Sequence, residues 1–321
     1  MRRILAASLL ALIVLAAWLA SPLPIHGLES RPSPAASYAE GLRMVDALRA
    51  QDTQAIGPGC GTELLTHGGP TPRVIVLLHG LTNCPAQFDS LGRMAFARGA
   101  NVFIPRLPRH GFADPMTDQL ARADARELRE FTDRVLDAAR GLGDSVTVVG
   151  LSVGGTLAAW AAQERPDVDR AVLIAPMLGV ARARGPWTPV VARVMGALPN
   201  RFIWWDSSRK QDLPGPRHVY PRFSTRSVAA TLQLGAVACE RAQRSGPACR
   251  SLAIVMVGGD VAVDNGLIAA LVRAWRAHGA RDVVTYEFPA ALHLNHDVVD
   301  LEQVGGNPAV TYPVLAGLIG P

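Results

Sequence analysis

Residues 146–155 read VTVVGLSVGG, an apolar run followed at once by a glycine-flanked serine. The run VTVV favours a short buried strand. Residues 156–162 read as the start of a helix. The stretch therefore predicts a strand, a sharp turn and a helix in immediate succession, with Ser152 at the turn.

The same alternation of strand and helix extends along the chain on both sides of Ser152. Strands are predicted at 74–78, 101–104, 146–149, 171–175, 252–257 and 283–288, and amphipathic helices at 38–50 and 118–142. Strands that alternate with helices imply a parallel sheet covered on both faces. The predicted fold class is α/β, a mostly parallel sheet flanked by helices.

The alternation fails over about 177–250. Apolar residues recur there at helical spacing, and aromatic residues gather around them, including Trp187, Trp205 and Tyr220. An α-helical insertion of this size between two strands predicts a cap over the carboxyl ends of the strands, where ligands bind in open α/β sheets.

The N-terminus carries an export or anchor pattern. Arg2 and Arg3 precede an apolar run at 4–20, which predicts an export signal or an uncleaved membrane anchor. The expected location is the cell envelope, either membrane-anchored or secreted into the periplasm. The predicted organisation is a signal or anchor at 1–28, a linker and lead-in at 29–72, and one domain at 73–321.

Four cysteines occur, and an even count in an exported chain suggests disulfides. The local pairing, Cys60 with Cys84 and Cys239 with Cys249, is the simplest of the three connectivities that four cysteines allow. Free buried thiols are the alternative.

Composition excludes several classes of protein. The 321 residues are 49% hydrophobic and 18% charged, which excludes a disordered chain. The net charge of +5 comes without a basic run of five to eight residues, so no nucleic-acid partner is expected. The sequence contains no metal-ligand or dinucleotide motif, and neither a metal nor a cofactor is predicted.

The turn at Ser152 points to nucleophilic chemistry. A sharp strand-to-helix turn exposes the serine Oγ and directs the next backbone N–H, that of Val153, to the same spot. Leu81 begins the loop after strand 74–78, and its N–H is the second predicted donor to an oxyanion. His79 precedes Ser152 in the chain and is predicted to be an orienting residue.

A general base and its acid are expected later in the chain. His293 and His296 both follow the last predicted strand. His296 is preferred as the base, with His293 as the alternative. Asp260 follows the strand at 252–257 and is preferred as the acid. Asp264 competes with it, although Asp264 is better placed to cap a helix.

Five segments carry a family resemblance: VIVLLHGLTNCPAQF (74–88), IPRLPRHG (104–111), VVGLSVGG (148–155), VGGDVAVDN (257–265) and HLNHDVVD (293–300). In this order they resemble the α/β-hydrolase superfamily, and most closely its small bacterial carboxylesterases and monoacylglycerol lipases. The resemblance covers about residues 73–321 and is weakest in the insertion. One departure is Arg109, where related sequences often have glycine.

The resemblance implies hydrolysis of carboxylic esters through an acyl-enzyme. It implies Ser152 as nucleophile, His296 as base and Asp260 as orienting acid, with oxyanion donors at Leu81 and Val153. The apolar insertion and the apolar run at 4–20 favour a small, lipid-like acyl ester as substrate. The alternatives are a peptidase, thioesterase or acyltransferase with the same residues, or a non-catalytic envelope binding protein of the same fold.

Overall fold

A seven-stranded sheet runs through the part of the chain that the structure describes, residues 2–183, 185–210 and 215–320 of a computed structural model. The strands are β1 (Glu63–Leu65), β2 (Thr71–Leu78), β3 (Asn101–Ile104), β4 (Gly143–Leu151), β5 (Arg170–Ile174), β6 (Phe202–Trp204), β7 (Arg222–Ser224), β8 (Ser251–Val257) and β9 (Val283–Phe288). The order in the sheet is β1-β3-β2-β4-β5-β8-β9. β1 runs antiparallel to β3, and the other neighbours are parallel.

Helices alternate with the strands, as the α/β pattern predicts. They are α1 (Arg2–Ala20), α2 (Tyr38–Arg49), α3 (Asp89–Ala97), α4 (Ala125–Leu142), α5 (Val153–Glu164), α6 (Thr188–Ala197), α7 (Thr225–Ala242), α8 (Asn265–Ala277) and α9 (Pro308–Ile319). The helix predicted at 118–142 begins later, at Ala125. Asp124 ends the preceding turn there, because its carboxylate accepts the N–H groups of Arg126 and Glu127.

The central strands are buried on both faces. Residues 74–78 of β2 and 146–151 of β4 lie in the core. The two strands pair in parallel register, with Leu78 opposite Gly150. The loop after β2 and the turn after β4 therefore begin side by side at the carboxyl edge of the sheet.

The insertion between β5 and β8 contains α6, the β6–β7 hairpin and α7. α7 packs against α5 and α4, and α6 packs against α7. Two residues of the insertion, Trp205 and Tyr220, reach the loop after β2 and form hydrogen bonds with Thr82. Residues 184 and 211–214 of the predicted cap lie outside the described residues.

The N-terminal helix α1 contacts the insertion at its C-terminal end. The Arg193 guanidinium of α6 donates hydrogen bonds to the carbonyls of Leu19 and Ser21. Among the described residues, no helix combines the length and the apolar character needed to cross a membrane.

The lead-in is held to α4, since Ser30 Oγ and the Arg31 N–H both donate to the Asp133 carboxylate.

One of the two predicted disulfides is present in the structure. Cys60 and Cys84 are bonded, which ties the lead-in to the loop after β2. The predicted bond between Cys239 and Cys249 is wrong, because both are free. Cys239 lies within α7, whereas the Cys249 thiol is directed at the Ser251 carbonyl. Burial raises the pKa of each thiol to about 12, so both stay protonated.

Candidate active site

Ser152 lies alone between β4 and α5, in a backbone conformation that few residues other than glycine adopt. Its φ is 57° and its ψ is −111°. Such a conformation costs about 1–3 kcal/mol and persists only where the surroundings enforce it. Here the Ser152 N–H donates to the Ile174 carbonyl, and the Ser152 carbonyl accepts from the Met177 N–H, at 2.9 and 3.0 Å. The chain after β5 therefore holds the turn in place.

The glycines around Ser152 are a steric requirement. A Cβ on Gly150 would lie 2.0 Å from the Gly154 carbonyl oxygen, and one on Gly154 would lie 1.9 Å from the Leu78 carbonyl oxygen. A Cβ on Gly155 would lie 2.9 Å from Pro176 Cα. No side chain fits at these three positions, so α5 approaches β2 and β5 closely enough to project its first turn over the sheet edge.

The backbone near the Ser152 side chain includes the two predicted oxyanion donors. Val153 follows Ser152 directly, and Gly80, which precedes Leu81, lies against it. A Cβ on Gly80 would lie 3.6 Å from Ser152 Cβ. Within the described residues, neither the Leu81 nor the Val153 N–H donates a hydrogen bond to the protein. Both are available to an acceptor placed beside Ser152.

His79 fixes the direction of the Leu81 N–H. Its Nδ1 lies 3.0 Å from the Gly80 carbonyl oxygen and its Nε2 lies 3.0 Å from the Leu107 N. A carbonyl only accepts and an N–H only donates, so Nδ1 carries the proton. Burial and the nearby His110 hold the pKa of His79 well below its usual range. A trans peptide directs its N–H opposite its carbonyl, so this bond sets the Leu81 donor.

His296 and Asp260 form a hydrogen-bonded pair. His296 Nδ1 lies 2.7 Å from Asp260 Oδ2. Asp260 has a fully buried side chain, and its Oδ1 accepts the N–H groups of Ala262 and Val263. Burial alone would raise the pKa of Asp260. The hydrogen bond with His296, the charge of the His296 ring and the two backbone N–H groups together lower this pKa below its usual value. Nδ1 of His296 therefore donates to a carboxylate, and in the neutral ring Nε2 is the basic nitrogen.

The competing residues have other surroundings. Asp264 caps α8, where Oδ1 accepts the Gly266 N–H and Oδ2 accepts the Gly185 N–H. His293 is exposed and ends a short helical turn with a φ of 48°. Within the described residues, His296 Nε2 is buried without a hydrogen-bond partner. Ser152 Oγ is thus not hydrogen-bonded to it in this structure.

The loop after β2 is held from the insertion by contacts that sequence reasoning missed. Thr82, beside Leu81, has a φ of 66°. Its carbonyl accepts the Tyr220 N–H at 2.8 Å, and its Oγ1 accepts Trp205 Nε1 at 3.0 Å. The Tyr220 hydroxyl in turn accepts the Phe112 N–H. No periodic or compositional signal links residues 82 and 205, so the sequence does not reveal this contact.

A second histidine–aspartate pair joins the insertion to the loop after β9. His218 Nε2 lies 2.8 Å from Asp300 Oδ2, and His218 Nδ1 lies 3.8 Å from Glu302 Oε2. Burial alone lowers the pKa of His218, but the Asp300 hydrogen bond and the charges of Asp300, Glu302 and Asp297 raise it overall. This pair was also missed, although Asp300 lies four residues after His296.

Arg109 occupies a position that favours glycine. Its φ is 69°, in the left-handed region, which explains why related sequences can have glycine there. Its guanidinium pairs with Glu127 of α4, at 3.0 Å between Nη2 and Oε1. The charge is thus directed towards α4.

Comparison with known proteins identifies the family to which the chain belongs. The model of the alpha/beta hydrolase family matches residues 75–303, and the chain belongs to that family. A solved monoacylglycerol lipase from Paleococcus ferrophilus superposes with a TM-score of 0.61 at 16% identity, over 80% of this chain and 97% of that one. At this identity the likeness shows the shared fold.

Two curated proteins match about half of the chain. A thermostable monoacylglycerol lipase of Bacillus sp. (strain H-257) is 28% identical over 172 residues, 51% of this chain and 60% of the lipase. The polyketide synthase ThaQ of Burkholderia thailandensis is 35% identical over 159 residues, 49% of this chain and 7% of the synthase. The matched part of the chain therefore spans less than two thirds of either relative.

Proposed function

We propose that the protein is a serine hydrolase that cleaves carboxylic esters, with Ser152 as nucleophile, His296 as general base and Asp260 as the acid that orients His296. The observation that carries the proposal is the 2.7 Å bond from His296 Nδ1 to the buried Asp260 carboxylate, at the sheet edge where the Ser152 turn also lies. This bond leaves Nε2 of His296 as the atom that accepts a proton.

The first step is attack on the ester carbonyl. Ser152 Oγ bonds to the carbonyl carbon while its proton passes to His296 Nε2, and the carbonyl electron pair moves to the oxygen. Asp260, whose pKa is lowered, stays ionised and stabilises the imidazolium that forms. The strained Ser152 backbone supports this role, because a strand-to-helix turn of this kind presents the serine hydroxyl at the edge of the sheet.

The negative oxygen of the intermediate is held by two N–H groups. Those of Leu81 and Val153 flank Ser152 and have no acceptor among the described residues. Removal of one such donor typically costs about 3 kcal/mol in the transition state. Collapse of the intermediate expels the alcohol, which takes its proton from His296. Water then attacks the acyl-enzyme by the reverse route.

An apolar acyl group suits the surroundings of the site. Exposed apolar side chains stand on three of its loops: Trp205 beside Thr82, Val261 directly after Asp260, and Leu292 before His293. A lipid-like ester would cover part of this apolar surface and gain the free energy of its burial. The lipase among the matched proteins supports the same substrate class.

We also propose that the protein is exported to the cell envelope. The apolar run at 4–20 and the Cys60–Cys84 bond support this location, because disulfides persist in oxidising compartments. Fractionation of cells that express the full chain, with alkylation of free thiols before lysis, tests the proposal. Recovery in the cytoplasm with four reactive thiols after unfolding would overturn it.

The decisive test of the catalytic proposal is covalent labelling with a fluorophosphonate. The folded protein is expected to be labelled at Ser152, and Ser152→Ala is expected to abolish both labelling and ester turnover. Ser208→Ala, which changes an exposed serine, serves as the matched control and should behave like wild type. Folded wild-type protein that resists labelling would instead favour a non-catalytic binding protein.

The substrate class is tested with a panel of p-nitrophenyl esters of rising chain length, alongside thioesters and peptide amides. The expected result is the highest kcat/KM for esters, with a preference for longer acyl chains. A higher kcat/KM for amides or thioesters would reassign the protein to another acyl-transfer reaction on the same residues.

A further inference from the structure

A buried glutamine links the loop that carries Leu81 to the loop that carries His296. Gln87 Oε1 accepts the Gly80 N–H at 2.7 Å, and Gln87 Nε2 donates to Asp297 Oδ2 at 2.6 Å. Gln87 is 3% exposed, so both bonds are shielded from water. The amide therefore spans the two loops with one hydrogen bond to each.

Both ends of this link lie beside the reacting groups. Gly80 is against Ser152, because a Cβ on Gly80 would be 3.6 Å from Ser152 Cβ and 3.6 Å from the Gln87 amide. Asp297 immediately follows His296 in the chain. A displacement of Gln87 would thus move the Leu81 donor and the His296 ring relative to each other.

Asp297 is bound only as an acceptor. Its Oδ1 accepts the N–H groups of Val299 and Asp300, each at 3.0 Å, and its Oδ2 also accepts Asn83 Nδ2 at 3.4 Å. These bonds fix the turn that directly follows His296. The Asn83 amide comes from the same loop as Leu81, so it adds a weaker second connection between the loops.

Stability alone does not account for a carboxylate at this place. Asp297 has no ion pair with any residue that the structure describes, and burial raises its pKa. A half-buried carboxylate that forms no direct ion pair is costly, although its charge contributes to the raised pKa of His218, and an apolar pair of the same shape would hold two loops together at a lower cost. A directional bond adds a fixed distance and angle between the loops, which an apolar contact does not.

We propose that Gln87 and Asp297 are positioning residues that set the geometry of the Leu81 N–H relative to the His296 ring during acyl transfer. The inference rests on the proposed function, because it gives the link a role in that reaction. Small misplacements of reacting groups lower kcat strongly, whereas ground-state binding depends mainly on the surrounding apolar surface. Loss of the link is therefore expected in kcat more than in KM.

The donor and acceptor pattern provides a test by reversal. Asp297→Asn brings an NH2 group against an N–H donor in either orientation of its amide, because all four partners of Asp297 donate. Gln87→Glu keeps the acceptor for Gly80 but sets a carboxylate against Asp297. The double variant Gln87→Glu/Asp297→Asn restores the bond between positions 87 and 297 with its direction reversed, leaves the net charge unchanged, and loses only the weaker 3.4 Å bond from Asn83. In that variant the side-chain amide at position 297 donates to the carboxylate at position 87.

Each single variant is expected to lower kcat for a p-nitrophenyl ester about 10- to 100-fold, with KM within about 3-fold of wild type. The double variant is expected to recover kcat to within about 5-fold of wild type. Two controls accompany the series, each measured for kcat and for thermal unfolding. Gln163→Glu changes a buried glutamine at the far end of α5, bonded to Trp275, and Asp282→Asn changes an exposed aspartate before β9.

The outcomes separate the two proposals. If wild type hydrolyses the ester through Ser152 but the single variants keep kcat within 2-fold, the positioning role is wrong and the hydrolase remains. If the singles lose kcat and the double variant does not recover it, the link is not directional and the inference is also overturned. If Ser152→Ala leaves turnover unchanged, the hydrolase proposal fails and the inference fails with it.

Discussion

Two histidine–aspartate pairs meet at the loop after β9, and they differ in what surrounds the second ring nitrogen. His296 bonds to Asp260 at 2.7 Å and His218 bonds to Asp300 at 2.8 Å. His296 Nε2 is buried and has no partner among the described residues, whereas His218 Nδ1 faces the Glu302 carboxylate. The short bond to an aspartate is common to both pairs.

The comparison teaches that such a pair does not by itself define a catalytic base. Asp260 is held by the N–H groups of Ala262 and Val263, which help to lower its pKa, and the Nε2 of its partner His296 carries no hydrogen bond within the described residues. His218 is surrounded by three acidic residues that raise its pKa and favour its charged form. A histidine whose pKa is raised by acidic neighbours is better suited to joining two segments by an ion pair than to accepting a proton from a nucleophile.

The largest difference between the two pairs is expected in kcat when the histidine ring of each pair is removed. His296→Ala should lower kcat by about 10⁴-fold or more, because no other group near Ser152 takes the proton. His218→Ala should change kcat by less than about 10-fold, since that ring lies outside the proton path. The measurement is steady-state hydrolysis of a p-nitrophenyl ester, with His293→Ala as a further control. A greater loss for His218→Ala or His293→Ala would move the general base to that residue.

The second largest difference in kcat is expected when the aspartate of each pair is replaced. Asp260→Asn should lower kcat about 10³- to 10⁴-fold, because an amide favours the wrong tautomer of His296. Asp300→Asn and Asp264→Asn keep that tautomer and should lower kcat by less than about 10-fold. Asp264→Asn is the matched control, because asparagine also caps helices. Equal losses for Asp260→Asn and Asp264→Asn would argue against the Asp260 assignment.

The smallest expected effect concerns stability and pH. Folding raises the pKa of His218, so its contribution to stability is complete below the unfolded pKa and is lost as pH rises through the folded pKa. His218→Gln should therefore lower Tm most at about pH 5, by roughly 2–4 °C, with the difference shrinking towards pH 9.

Thermal unfolding from pH 5 to pH 9 measures this difference. The control is His293→Asn, because His293 is exposed and asparagine tolerates its φ of 48°. A Tm difference for His218→Gln that grows with rising pH would contradict the raised pKa of His218.

Much of the fold was predictable because its signals are local. β3 and β9 coincide with the predicted ranges, because β3 is a buried apolar run and β9, a half-exposed edge strand, is rich in the β-branched and aromatic residues that favour strands. β1 was missed, because its three residues at the sheet edge are half-buried and give no clear pattern. The short strands β6 and β7 in the insertion were missed for the same reason.

The candidate site also contains features that the local sequence predicts and contacts that it does not. The turn at Ser152 is predictable, because the steric demand at Gly150, Gly154 and Gly155 requires glycine at three positions within one short stretch of sequence. The bonds from Trp205 and Tyr220 to Thr82, and from Gln87 to Asp297, depend on residues more than 100 positions apart. Those contacts form through tertiary packing, and nothing in the local sequence distinguishes their members.

The hydrogen bonds from Trp205 and Tyr220 to Thr82 limit how the substrate preference of this protein can be redesigned. An engineer who grafts another family member's insertion onto this scaffold would also exchange the two partners that hold Thr82 in its left-handed conformation. The graft would then alter the chemistry together with the selectivity. Chimeras that retain residues 205 and 220, and vary only the exposed face of α6, separate the two effects.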